Sequence, residues 1–142
     1  MIRPAVGAAI FLSLLLIGCE DPSTGARETI ELGGDTWTVL EGGDDGMRGR
    51  TGFAGADAML FSFADGFDTR GIVWVMDGVA FPLDIAWFDH DGALVGTASM
   101  AVCPAAPCPT YAPDRPYRWA IEAPVGAFDR LRPDDRLDVP DA

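Results

Sequence analysis

After residue 28 the chain is a succession of short apolar runs broken by glycine, proline and aspartate. In ETIELGGDTWTVLEGG, Ile30 and Leu32 alternate with polar residues, GGD turns the chain, and Trp37 and Val39 alternate on the return. That pattern predicts a β-hairpin. DDGMRGRTGFAGAD is glycine-rich and reads as a loop with at most one helical turn. AMLFSFAD predicts a buried strand, and GIVWVMDG a further one after a Gly-Phe-Asp-Thr-Arg turn. In FPLDIAWFDHDG, counting by twos puts Phe81, Leu83, Ile85 and Trp87 on one face and Asp84, Ala86 and Phe88 on the other. DHDG is a turn, with Gly92 suited to positive φ, and ALVGTASMAV returns as the partner strand. YRWAIEA alternates again, PVGAFDRL predicts a short helix starting at Pro124, and RLDV a last short strand. Seven or eight short strands and one or two brief helices predict an α+β, mostly antiparallel β domain. Its core is expected from Met59, Leu60, Phe61, Phe63, Ile72, Trp74, Leu83, Ile85, Trp87, Leu94, Trp119, Ile121 and Leu131.

The N-terminus has a different pattern. Arg3 is followed by AVGAAIFLSLLLIG, residues 5–18, an apolar run shorter than the roughly 20 residues of a bilayer-spanning helix but matched to the core of a secretory signal. It ends in LLIGC, which resembles the lipobox of bacterial lipoproteins; that resemblance makes Cys19 the acylated first residue of the mature chain. EDPSTGARE then reads as a polar tether, with too little apolar surface to offset chain entropy. The expected organisation is therefore a signal at 1–18, lipidated Cys19 and tether at 19–28, and one globular domain at 29–142. Two or more acyl chains give stable anchoring, so the expected location is the extracytoplasmic side of a bacterial membrane in the cell envelope.

Charge narrows the partners. The 142-residue chain has 22 acidic and 10 basic side chains, every base an arginine, for a formal net charge of −12. A surface this acidic disfavours nucleic acid and offers no electrostatic attachment to anionic lipid. A protein or saccharide partner is left open, no cofactor is expected, and the expected state is a monomer. Cys103 and Cys108 in CPAAPCP are read as a structural disulfide in a compartment that tolerates one, with free thiols and metal binding as open alternatives. Metal is disfavoured because His90, the single histidine, has no companion ligand.

GMRGR, AMLFSF, VWVMDGVAFPLDIAWFDHDG, CPAAPCPTY and YRWAIEAPVGAFDRLRPDDRL occur in the order of a bacterial and archaeal family, domain of unknown function 192, which the chain resembles over about residues 28–139. Pro82, Leu83 and Asp84, followed by an aromatic strand and Asp-x-Asp-Gly, are the most specific part of the match. The resemblance implies a small β-rich α+β domain whose strands curl into a partly closed barrel, and it implies no reaction. Asp77 and Gly78 stand where the family has lysine and asparagine, and Asp134-Asp135 replace its terminal glycine-aspartate.

Three places carry candidate chemistry. Asp84, with Asp77 on a neighbouring strand, is a weak catalytic candidate, because two close carboxylates raise one pKa as acid–base work requires. The competing reading makes Asp84 a fold-holding acceptor for backbone N–H groups or an arginine, fixing the 72–77 segment against the 83–89 strand. Asp89, His90 and Asp91 superficially resemble a calcium loop but lack its further oxygen ligands, so a hairpin turn is expected. The cysteine loop is the third. The chain thus reads as a lipid-anchored envelope protein acting as a binding or structural module, the alternative being an envelope hydrolase using Asp84 and Asp77 on a saccharide or peptide.

Overall fold

The computed structural model describes residues 26–140. The expected signal, Cys19 and most of the tether lie outside them. The first strand, β1 (Arg27–Leu32), starts two residues before the expected domain boundary and pairs with β2 (Asp35–Glu41) in the hairpin that the alternation predicts. The remaining elements are β3 (Ala58–Ser62), a 3-10 turn at Thr69–Gly71, β4 (Trp74–Val75), β5 (Leu83–Phe88), β6 (Leu94–Met100), β7 (Thr110–Tyr111), β8 (Trp119–Pro124) and β9 (Leu137–Asp138).

Seven strands make one sheet in the order β6-β5-β8-β3-β2-β1-β9, antiparallel except for β2 beside β3, while β4 and β7 form a separate ribbon. The sheet curls into a half-barrel whose end strands touch at one point. Ala93, at the start of the β6 edge, bridges to Arg136, and Leu137 N–H donates to the Gly92 carbonyl at 2.9 Å. This contact satisfies backbone groups at the start of the β6 edge that would otherwise be open to pairing with another chain. Gly92 makes the contact possible: its φ is +72° and a Cβ there would stand 2.1 Å from the Leu137 carbonyl oxygen. The glycine that the DHDG turn calls for is therefore also the point of contact between the sheet's ends.

Every residue of β5 is buried, because both faces of the strand are covered. Leu83, Ile85 and Trp87 pack with Met59, Phe61 and Ala120 on one side; Ala86 and Phe88 pack with Ile30, Leu60 and Ile121 on the other. Burying each large apolar side chain contributes roughly 1.5–3 kcal/mol, so the two layers together hold the curl. Of the expected core, Phe63, Ile72, Trp74, Leu94 and Leu131 are half-buried and the rest are buried, which supports the strand register.

The helical part of the α+β expectation is not met. Residues 124–131 form successive turns, with Ala127 N–H to Pro124 O, Asp129 N–H to Gly126 O and Leu131 N–H to Phe128 O. Gly126 sits at φ +88°, a left-handed value that breaks helical continuation. Only part of the packing its spacing implies survives: Phe128 stacks on Trp37 with ring centroids 5.8 Å apart, while Val125 is exposed and Leu131 half-buried. GIVWVMDG is likewise reduced to the two residues of β4, with Val73 and Val75 exposed. The domain is mostly β, a curled half-barrel.

Candidate functional site

Alternation along β8 puts Trp119, Ile121 and Ala123 in one apolar layer and turns Ala120 and Glu122 to the other. Glu122 is registered opposite Ile85 on β5 and Met59 on β3, so its carboxyl rises from the middle of the sheet. It is 6 % exposed, and its Oε2 accepts no hydrogen bond among the described residues. Burial pushes its pKa up from 4.5 to about 7, because a desolvated carboxylate is disfavoured against its neutral form.

Above Glu122 the structure opens into a cavity of about 480 Å³, within the range of small-molecule sites. Phe61 and Trp74 form one wall, edge to face, with centroids 4.8 Å apart. Trp74 is fixed by its indole N–H, which donates to the Tyr117 hydroxyl at 2.9 Å; burial in turn pushes the Tyr117 phenol above its ordinary value. Facing them is the loop that follows β2, carrying Asp44 and Asp45. It comes close because of Gly42, where a Cβ would stand 2.5 Å from the Phe61 ring. Arg48 and Asp77 complete the lining and pair with each other, Nη2 to Oδ2 at 3.3 Å.

The residues singled out from sequence are distributed differently. Asp84 is 7 % exposed and accepts two hydrogen bonds of 2.7 Å, from Gly126 N–H and from the Ser99 hydroxyl. The backbone bond is the one expected; its purpose is not. Asp84 ties β5 to the turn after β8 and to β6, rather than to the 72–77 segment, because its side chain leaves the sheet on the face away from that segment. Asp77 is exposed and lines the Glu122 cavity, whereas Asp84 does not, so the structure does not bring the two aspartates together.

The Asp89 carboxylate accepts from the N–H groups of Asp91 and Ala93, at 3.0 and 2.9 Å, and so closes the expected hairpin turn. Asp89, His90 and Asp91 place one ligand atom each within 4.8 Å of one another, but one Asp89 oxygen is committed to the backbone. Cys103 and Cys108 are at disulfide distance, with sulfurs 2.13 Å apart.

Glu122 is the residue that sequence reasoning passed over. Its signal was of the same kind as that of Asp84: one acidic residue inside an otherwise apolar alternating strand.

Among solved structures, the fold is similar to that of a protein from Sinorhizobium meliloti 1021 provisionally described as a transcription regulator. The two are 26% identical over 81% of this chain and 95% of that one, with a TM-score of 0.63. It is also similar to a protein of unknown function from Novosphingobium aromaticivorans DSM 12444, at 16% identity over 84% of this chain and 90% of that one, with a TM-score of 0.67. No curated protein matches the chain. The model of the DUF192 family, described as an uncharacterized ACR, matches residues 41–139, from the end of β2 through β9, and the chain belongs to that family.

Proposed function

We propose that this protein is a lipid-anchored, extracytoplasmic binding module of the bacterial cell envelope, with the Glu122 cavity as its ligand seat. The observation that carries the reading is the cavity itself: a buried carboxyl with an unpartnered oxygen beneath an aromatic wall. A buried polar group without a partner costs stability, and a site that keeps one is a candidate for completion by a ligand. The apolar run at 5–18 and the LLIGC sequence support the anchor at Cys19, and a cysteine pair at disulfide distance suits an oxidising compartment. A net charge of −12 disfavours nucleic acid as a partner, which argues against carrying the transcription-regulator description of the Sinorhizobium protein over to this chain.

Two measurements test the two halves of this reading. Cys19→Ser should move the protein from the membrane pellet to the soluble fraction of a bacterial host; retention in the pellet rejects the anchor. Native mass spectrometry of the protein after incubation with a small-molecule extract of bacterial envelopes should detect an adduct that Trp74→Ala loses. An adduct indifferent to Trp74 places the ligand elsewhere.

A further inference from the structure

We propose that the Glu122 cavity selects an organic cation: a primary ammonium carried on a compact apolar or aromatic body. This rests on the cavity being a ligand seat and adds the chemical class of what sits in it. Three features converge. Glu122 is 6 % exposed and its Oε2 lacks a donor among the described residues, so the floor has room for an N–H or O–H group of a ligand. The wall beside it is made of Phe61 and Trp74, whose ring faces attract cations and accept apolar groups. The charged groups on the walls besides Glu122 are Asp44, Asp45, Asp77 and Arg48, and Arg48 is already paired with Asp77. The uncompensated charge around the opening is therefore negative, which repels carboxylates and phosphates and attracts amines.

An ammonium satisfies all three at once. It donates to Oε2 in a charge-assisted hydrogen bond, it leaves its apolar body against the aromatic wall, and it offsets part of the acidic surplus. A neutral hydroxyl supplies the donor without the charge, and an anion supplies neither.

The test uses three probes of one shape, 2-phenylethylammonium, 2-phenylethanol and phenylacetate, titrated by calorimetry into the purified protein. The ammonium should bind about tenfold or more tightly than the alcohol, and phenylacetate should not compete with it. Glu122→Gln should lose that advantage while melting at or above the wild-type temperature, and Trp74→Ala should weaken both the ammonium and the alcohol. Ammonium affinity should also rise from about pH 6 to about pH 8 as the Glu122 carboxyl ionises, and Glu122→Gln should flatten that rise. Equal binding of alcohol and ammonium, lost in Trp74→Ala, would overturn the cation proposal and leave the ligand seat standing. Binding of none of the three, or ammonium binding unchanged in Glu122→Gln, would also overturn it, whatever the fractionation of Cys19→Ser shows.

Discussion

Asp84 and Glu122 stand one rung apart on adjacent strands, since Asp84 is registered with Ala123 and Ile85 with Glu122. They leave the sheet on opposite faces, and both are almost fully buried. Asp84 meets two donors at 2.7 Å, whereas the Glu122 oxygen meets none and opens on a cavity. Carboxylates with nearly the same burial are thus put to different uses. On the closed face, under the turns of residues 124–131, a carboxylate is tolerated because the backbone of those turns supplies a partner. On the open face no described residue fills the partner position. Burial alone does not single out a candidate carboxyl; burial without a described partner, beside open space, does.

The comparison breaks if the closed face is not the structural one. Phe88→Ala removes a ring from the closed layer and should destabilise by about 3–5 kcal/mol, with ligand affinity at the Glu122 cavity unchanged. Chemical denaturation and probe titration at a temperature where the variant is folded measure both quantities. A weakened site in a folded Phe88→Ala protein would show that the layers are coupled rather than separate.

The pH dependence of stability sharpens the other side. The Glu122 pKa is raised on folding, so the folded state holds its proton over a range where the unfolded chain has lost it. Stability from this group is fully present below about 4.5 and is lost as pH rises through about 7. The full shift corresponds to about 3 kcal/mol. Glu122→Gln cannot ionise, so its stability relative to wild type should grow by up to that amount between those pH values. A difference that stays constant with pH would mean that Glu122 is not held neutral by burial. Denaturation midpoints measured for both proteins across the range decide it.

Asp84→Asn should act on stability alone. It weakens the bonds from Gly126 and Ser99, and loss of charge-assisted bonds of this kind costs about 1.5–3 kcal/mol. Probe binding at the Glu122 cavity should not change. An Asp84→Asn protein of normal stability but with lost activity on a saccharide or peptide would instead favour the hydrolase alternative.

How much of this was legible in the chain follows from the range of the interactions. The β1–β2 and β5–β6 hairpins and β8 could be read because period-two alternation and a glycine turn are local signals; Gly33, Gly34 and Gly92 all have the positive φ such turns use. The burial of Asp84 and its backbone bond could be read because a carboxylate in an apolar strand needs a partner. The identity of that partner could not, since Gly126 lies 42 residues away. The helix expected from Val125, Phe128 and Leu131 failed because Gly126 breaks the backbone; the turns bury Phe128 and leave Val125 exposed. The cavity was the least visible feature. Its floor comes from β8, its aromatic wall from β3 and β4 and its facing wall from the loop after β2, and these meet only when β2 pairs in parallel with β3 and antiparallel β8 joins them.

The smallest expected effect lies at the join between the cysteine loop and the cavity wall. Cys103 and Cys108 close a loop just before β7, and in β7 Tyr111 is registered opposite Trp74 of β4. The two-residue ribbon has few hydrogen bonds of its own, so the position of Trp74 depends on the Tyr117 hydroxyl on one side and on the constrained β7 segment on the other. Replacing both cysteines with serine should cost roughly 2 kcal/mol in the chain-entropy model for so short a loop. The loss should fall unevenly over the molecule. Amide exchange should quicken at Trp74, Val75, Thr110 and Tyr111 and probe affinity should drop a few-fold, while the Gly126 amide, held by Asp84 on the closed face, keeps its wild-type protection. Equal loosening at Gly126 and Trp74 would show that the disulfide stabilises the whole domain and not the open face.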